Sequence, residues 1–416
     1  MSVEQQLIQL ALRPAGDGPV ELIRLCLFDW AVCAWAGRDE PVAQKLAMLA
    51  GVEGDASVVG GGETSAPDAA LINGTTGHAL DYDDTHFDHI GHTSAVIMPA
   101  VLAIAESEMI SDMTRVIEAA LIGSEAAVRV GLWLGRDHYQ IGFHQTATAG
   151  SIGAAVGCAR LLGLSDVQIG HAIGLAATGA SGLKGQFGTM GKPLNAGLAA
   201  RCAVEAALWA QAGITSDVNG LSQFGETHLG QANDSAWDLD ESWKINRISH
   251  KFHACCHGLH AMIEALRDVP SGVTALSIHT HPRWMSVCNV AKPDTGLACK
   301  FSYKMTAAMT LLGYDTADIA NFSDEVAQTP NLIELMQRIE VQSDDSLSEM
   351  ETRVEVQTEK DTHSLSHDLS APLDLATREA RLMQKARTVV GQAFADKLWA
   401  AVQGRDATTL ATVLRD

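Results

Sequence analysis

Residues 144–163, HQTATAGSIGAAVGCARLLG, constrain the fold more than any other stretch of this chain. They carry helical period, yet Gly150, Gly153 and Gly157 fall close to one face. A glycine inside a helix costs up to about 1 kcal/mol against alanine. Three on one face therefore predict a helix whose backbone lies directly against its neighbours. Composition extends the argument: aromatics are only 5% of the chain, and there are 37 glycines. Small side chains at helix contacts let backbones approach closely, so tightly packed helices are expected instead of a core of large residues.

Other helical segments follow from spacing and end signals. Asp17-Gly18-Pro19 offers a start for a helix carrying Leu22, Ile23, Cys26, Leu27, Trp30 and Cys33, which stops near Gly37. Residues 51–67 read as a Gly-rich loop with a short strand signal at Ser57–Val59, and residues 68–80 as a short helix. Thr93 or Ser94 is expected to cap a helix that Pro99 breaks or kinks. A further apolar helix covers Ile110 to Gly135, and Ser165 with Gln168 forms a capping-box match. A Gly-rich loop delivers Lys192, and the Ala-rich helix after it ends at Gly213. Helical period is expected to persist to about Leu266.

The pattern changes near Pro270. Leu276 and Ile278 alternate with Ser277 and His279, and RIEVQSD and TRVEVQTEKDTHSLSHDL repeat the period of two, with a turn at Lys360-Asp361. FSYKMTAAMTLLG and TPNLIELMQ between them read as helices, and helical period returns from Leu375. The fold class expected is mainly α: a large all-helical domain, residues 1–267 plus 373–416, with an inserted smaller α+β lid domain at 268–372. At 416 residues the chain is long enough for two cores.

The formal charge of −21 argues against nucleic acid or an anionic membrane as partner. None of the eight cysteines forms a C-x-x-C pair, which fits reduced thiols. The N-terminus has no basic stretch typical of a signal peptide, and no window reaches the length of a membrane span. A cytoplasmic location is the expectation.

Chemistry is expected in residues 73–106. Within fifteen residues lie four carboxylates (Asp81, Asp83, Asp84, Asp88) and four imidazoles (His78, His86, His89, His92). A solvated acidic loop has the same composition.

These motifs resemble the MmgE/PrpD family, which includes 2-methylcitrate dehydratases, cis-aconitate decarboxylases and an iminodisuccinate epimerase. The resemblance runs through FDWAVCAWAG, NGTTGHALDYDDTH, GHTSAVIMPAVLAIAE, GFHQTATAGSIGAAVG, FGTMGKPLNAGLAAR, KFHACCHGLHAMIEAL and KFSYKMTAAMTLLG, in order along nearly the whole chain. It implies a homodimer with the site between the two domains, a small polycarboxylate substrate, and no metal or other cofactor. On that resemblance the catalytic candidates are His92, Lys192, His144 and Tyr139. His92 is the general base or acid, Lys192 holds a carboxylate at a helix N-terminus, and Tyr139 is a proton donor whose phenol Lys192 would acidify. Asp84, His86, Cys256 and His260 are assigned to substrate binding.

Two departures bear on the activity. Met305 stands where many members have a tyrosine, and Cys256 where decarboxylases have a histidine; both weaken a decarboxylase assignment most. The leading expectation is a cofactor-independent, dehydratase-like lyase acting on a di- or tricarboxylic acid. Alternatives are an epimerase of an aminopolycarboxylate such as iminodisuccinate, a metallohydrolase using residues 81–92, and a non-catalytic polycarboxylate-binding protein. Lys251, Cys255, Cys256, His257 and His260 invite a zinc reading, but no second cysteine pair completes a tetrahedral set.

Overall fold

A computed structural model describes the chain except residues 17, 52, 229–233 and 239–241. The protein is mainly α with two small sheets among the described residues, and it divides into two compact units, residues 1–250 with 390–416 and residues 251–389.

The first unit contains helices α1 (Val3–Leu12), α2 (Val20–Gly37), α3 (Pro41–Leu49), α4 (Ala66–His78), α5 (Ser94–Ser107), α6 (Met113–Ile141), α7 (Gln145–Leu161), α8 (Asp166–Gly179), α9 (Gly191–Gln211) and α10 (Gly220–Thr227). Strands β1 (Ala56–Ser57) and β2 (Glu63–Thr64) form a small antiparallel pair, so the strand expected at 57–59 starts and ends earlier. Helix α7 is the hub: it packs on α5, α6, α8 and α9. A Cβ on Gly153 would lie 2.5 Å from the backbone nitrogen of Ala127 in α6, which is why no larger residue fits. Gly197 plays the same part between α9 and α4, where a Cβ would come within 2.3 Å of the Leu71 carbonyl oxygen. The glycine face read from the sequence is thus the contact face.

Several local expectations change. Asp17 lies outside the described residues, and Pro19 occupies the N-cap of α2. Pro99 neither breaks nor ends α5, which runs through it with almost every residue buried. Tertiary packing holds the turn around the missing hydrogen bond: Gly74 of α4 comes so close that a Cβ there would lie 3.2 Å from the Ala95 carbonyl and 3.4 Å from the Pro99 ring. Thr93 does not cap α5, since its backbone is already helical and its side chain makes no capping hydrogen bond. Asp84 does so instead, accepting from the Ser94 backbone N–H at 3.3 Å and from the Ser94 hydroxyl. Gly135, the expected end of a helix, has φ of 75° and interrupts α6, after which one more helical stretch carries Tyr139. The Ser165–Gln168 capping box at α8 is present.

Helical period does not persist to Leu266. After α10 the described residues are mainly turns and short 3-10 segments, whose backbone polar groups bond to side chains of α6. Glu125 accepts from the N–H groups of Lys244 (3.0 Å) and Ile245 (2.8 Å), and Arg129 donates to the carbonyls of Ala236 (2.6 Å) and Ser242 (3.2 Å). Glu125 and Arg129 are themselves a fully buried pair at 2.7 Å.

The second unit holds α11 (His260–Ala265), β3 (Val273–Thr280), α12 (Pro282–Val287), α13 (Gly296–Cys299), α14 (Tyr303–Leu311), α15 (Asp324–Ala327), α16 (Pro330–Met336), β4 (Ile339–Ser343), β5 (Glu351–Thr358), β6 (Thr362–Asp368) and nearly all of α17 (Leu375–Val390). The sheet order is β4-β3-β5-β6, with β3 parallel to β4 and the other pairs antiparallel. Leu276, Ile278, Val354 and Val356 are buried, as the period of two requires. The unit is wider than residues 268–372 because α11 packs on β5 and β6, and because Glu264 of α11 pairs with Arg381 of α17. The chain then returns to the first unit with α18 (Gln392–Gln403) and α19 (Ala407–Arg415).

Candidate active site

Three chain segments of the first unit meet around His92: the loop between α4 and α5, the N-terminus of α7 and the N-terminus of α9. The loop is shaped by antiparallel bridges, Thr85 to Ser249 and His86 to Gly91, and by left-handed backbone at Asp81 (φ 52°) and Ile90 (φ 55°). A non-glycine residue held at positive φ is uncommon, and such strain concentrates at functional positions.

His92 is held on three sides. Its backbone N–H donates to the Thr146 hydroxyl at 3.0 Å. Its Nδ1 lies 2.8 Å from the Asp84 carbonyl oxygen and 3.3 Å from Oδ2 of Asp83. Both neighbours only accept, so Nδ1 carries the hydrogen and the lone pair of the neutral ring belongs to Nε2. Nε2 is turned toward Asp81, 3.6 Å from Oδ1. The other Asp81 oxygen is 2.6 Å from Nζ of Lys192. Imidazole, carboxylate and ammonium thus form one contiguous row, with Lys192 in the first turn of α9 and its Nζ 5.4 Å from the Phe187 ring.

Behind this row lies a buried layer. Asp83 is fully buried, and Nδ1 of His78 donates to it at 2.8 Å. Burial pushes the Asp83 carboxyl up, but His78 and His92 outweigh it and hold the group well below the usual range. The His78 ring sits 4.5 Å from that of His92 and 6.2 Å from that of His144. His144 is the N-cap residue of α7. Its Nδ1 accepts from the Asn195 amide at 3.3 Å, and that amide also donates to the Leu183 carbonyl at 3.1 Å, so the hydrogen of His144 is on Nε2. Burial first, then the neighbouring His78, Lys192 and His92, keep His144 well below the ordinary imidazole value and hence neutral. A neutral Nε2–H at a helix start is a hydrogen-bond donor suited to an anionic oxygen.

The remaining predicted residues have partners of their own. The ammonium over the Tyr139 ring is that of Lys184, at 3.9 Å, whereas Lys192 is bound to Asp81. Asp84 and His86 are fully buried: Asp84 caps α5, and Nε2 of His86 bonds the Lys244 carbonyl at 2.9 Å. Cys256 and His260 belong to the second unit, where His260 is buried between the rings of His253 (4.9 Å) and His257 (4.6 Å), and Cys256 is half-buried.

Sequence reasoning counted His78, Asp81 and Asp83 in the 78–92 cluster without giving any of them a role, and it missed Asn195. Asn195 had a signal, since it lies one turn beyond Lys192 on the same helix face. The direct part of Asp81 had none, because it depends on backbone strain.

Donor atoms of His78, Asp81, Asp83 and His92 lie within 4.8 Å of one another, a nitrogen and oxygen set that fits a divalent first-row metal. The Lys192 ammonium on Asp81 opposes a second cation there.

Comparison with known proteins gives a family profile over each part of the chain. The MmgE/PrpD N-terminal domain matches residues 10–224, and the MmgE/PrpD C-terminal domain matches residues 251–403. The cis-aconitate decarboxylase-like protein oryM of Aspergillus oryzae is 30% identical over 285 residues, covering 62% of this chain and 59% of that protein. The cis-aconitate decarboxylase of Aspergillus terreus is 29% identical over 273 residues, 60% of this chain and 56% of its own length. The human cis-aconitate decarboxylase is 30% identical over 151 residues, 35% of this chain and 31% of that protein. The chain therefore spans less than two thirds of the length of these relatives.

Proposed function

The chain belongs to the MmgE/PrpD family, and from that premise we propose that it is a cofactor-independent lyase that dehydrates a small di- or tricarboxylic acid. The observation carrying this reading is the row His92, Asp81, Lys192, in which an ammonium already holds a carboxylate beside an imidazole Nε2. A substrate carboxylate takes the place of Asp81 on Lys192, at the positive end of the α9 dipole. Nε2 of His92 removes the proton from the adjacent carbon, and Asp83 stabilises the imidazolium that forms. The neutral His144 donates from Nε2 to the oxygen on which charge develops. The C–H electron pair becomes the C=C bond, the C–O bond breaks, and the departing hydroxide takes the proton held by the His92 imidazolium to leave as water, which returns His92 to its neutral form.

Decarboxylation is the second reading, favoured by the names of the relatives. There the C–C bond to the carboxylate breaks, carbon dioxide leaves, and protonated His92 delivers a proton to the carbon. The Met305 and Cys256 departures weigh against it. Epimerisation loses support because its Tyr139–Lys192 pair is replaced by Tyr139 with Lys184. A homodimer working in the cytoplasm belongs to the same proposal; no helix among the described residues is long and apolar enough to cross a membrane.

The test incubates the full chain with 2-methylcitrate, citrate, malate and cis-aconitate in deuterium oxide. It follows the absorbance of an unsaturated acid, carbon dioxide release and deuterium incorporation. Dehydration of one hydroxy acid is expected, with His92→Gln lowering the rate about 10²–10⁴-fold and Lys192→Met at least about 10²-fold. No double bond, carbon dioxide or exchange from any of these acids would refute the lyase reading.

A further inference from the structure

None of the eight cysteines is in a disulfide, and six of them are buried and two, Cys202 and Cys256, half-buried. Cys256 differs from the rest in its neighbour. It ends the stretch before a short 3-10 turn, with its N–H on the Lys300 carbonyl at 2.9 Å. The thiol of buried Cys288, the C-cap residue of α12, donates to its sulfur at 3.0 Å. Both backbones are fixed where they stand, since the Cys288 N–H bonds the Trp284 carbonyl at 2.8 Å and its carbonyl accepts from Tyr303 at 3.1 Å. Two sulfurs at this distance need approach by only about 1 Å to reach the disulfide length of about 2.05 Å. Cys202, the other half-buried thiol, instead donates to the Ala176 carbonyl at 3.6 Å, and burial pushes it up to about 11.

We propose that Cys256 and Cys288 are a peroxide-reactive dithiol: Cys256 is the entry point for a hydroperoxide, and Cys288 resolves it into a reversible disulfide within the second unit. The sulfur of Cys256 attacks the near peroxide oxygen. An S–O bond forms, the O–O bond breaks, and the departing hydroxide takes the Cys256 thiol proton to give water and a sulfenic acid. The sulfur of Cys288 then attacks the Cys256 sulfur, the S–O bond breaks, and the second hydroxide leaves as water with the Cys288 proton. The thiols lose two electrons and the peroxide gains two. The order follows from access, because Cys256 is half-buried and Cys288 is not reached from solvent. Burial and the adjacent Cys256 sulfur also hold the Cys288 thiol well above the ordinary value, so it keeps its proton until the second step.

The inference is independent of the reaction proposed above. Its test treats the full reduced chain with hydrogen peroxide, counts thiols after denaturation and maps the peptides. The count is expected to fall from eight thiols to six. A Cys256–Cys288 cross-link should form, two hydrogens lighter, and revert with dithiothreitol. Cys255→Ser should keep the cross-link, whereas Cys288→Ser and Cys256→Ser, each checked for native circular dichroism, should both lose it. A count that stays at eight, a cross-link from Cys256 to Cys255, or oxygen added to Cys256 while Cys288 stays reduced overturns the proposal.

Discussion

Replacing Asp84 by Asn separates the charge of a buried carboxyl from its shape. Asp84 is fully buried, and burial is the largest cause raising its pKa from the ordinary 3.8 to about 7; nearby Asp83 and Asp29 add to the rise, while the Ser94 bonds oppose it. A carboxyl whose folded value is raised favours the neutral form, so its contribution is full below about pH 4 and is lost as pH rises to about 7. Three units at about 1.4 kcal/mol each amount to about 4 kcal/mol. The amide can keep both contacts, Oδ1 accepting from the Ser94 N–H and Nδ2 donating to the Ser94 hydroxyl in place of the present bond. Reversing that bond costs about 1–2 kcal/mol, which leaves the variant ahead by about 2–3 kcal/mol above pH 8. The assay is urea unfolding of both proteins from pH 4 to 9, read as the difference between them so that all other groups cancel. Wild type minus variant should fall by about 1.4 kcal/mol per pH unit between about 4 and 7 and then level. A protonated carboxyl stretch at pH 6, absent from the variant, should accompany it in the infrared. A difference that is flat or rises with pH would refute the reasoning, because it would mean that Asp84 is ionised at little cost.

Two further outcomes follow. Gly153→Ala places a methyl 2.5 Å from the Ala127 nitrogen and should cost about 1–3 kcal/mol in urea unfolding; unchanged stability would mean that α6 and α7 can separate freely. Asp83→Asn removes a carboxyl held well below 3.8, whose stabilisation is present above that value and fades as pH falls through the depressed one. The gap between wild type and this variant should therefore be constant above about pH 4 and narrow in more acid solution, and a gap that widens there contradicts the pairing with His78 and His92.

Much of the first unit was legible because its signals are local. The Gly150, Gly153 and Gly157 spacing and the Ser165–Gln168 capping box act within a few residues, and each has its counterpart in the structure. The alternation of Leu276 and Ile278 with Ser277 and His279, and of Val354 and Val356 with Arg353 and Glu355, marked strands of the second unit in the same way. Of the catalytic candidates, Lys192, His92 and His144 come together; each stands at or just before a helix start, which turns side chain and backbone N–H groups the same way. What was not legible depends on distant partners. Apolar spacing after α10 imitated helix, while Glu125 and Arg129, more than a hundred residues away in sequence, took up the backbone groups. Pro99 read as a break because the support of α4 cannot be seen from its neighbours in sequence.

By itself the sequence determined that this chain is a stack of close-packed helices followed by a small sheet, and that acid and imidazole groups crowd between positions 78 and 92. Only the tertiary structure decided which of those groups face one another. The 79–92 loop has no period of its own, so each side chain goes where a remote bond holds it: His92 by Thr146, Asp81 by Lys192, and His86 by the Lys244 carbonyl. A helix or strand repeats its direction from residue to residue, and a loop does not.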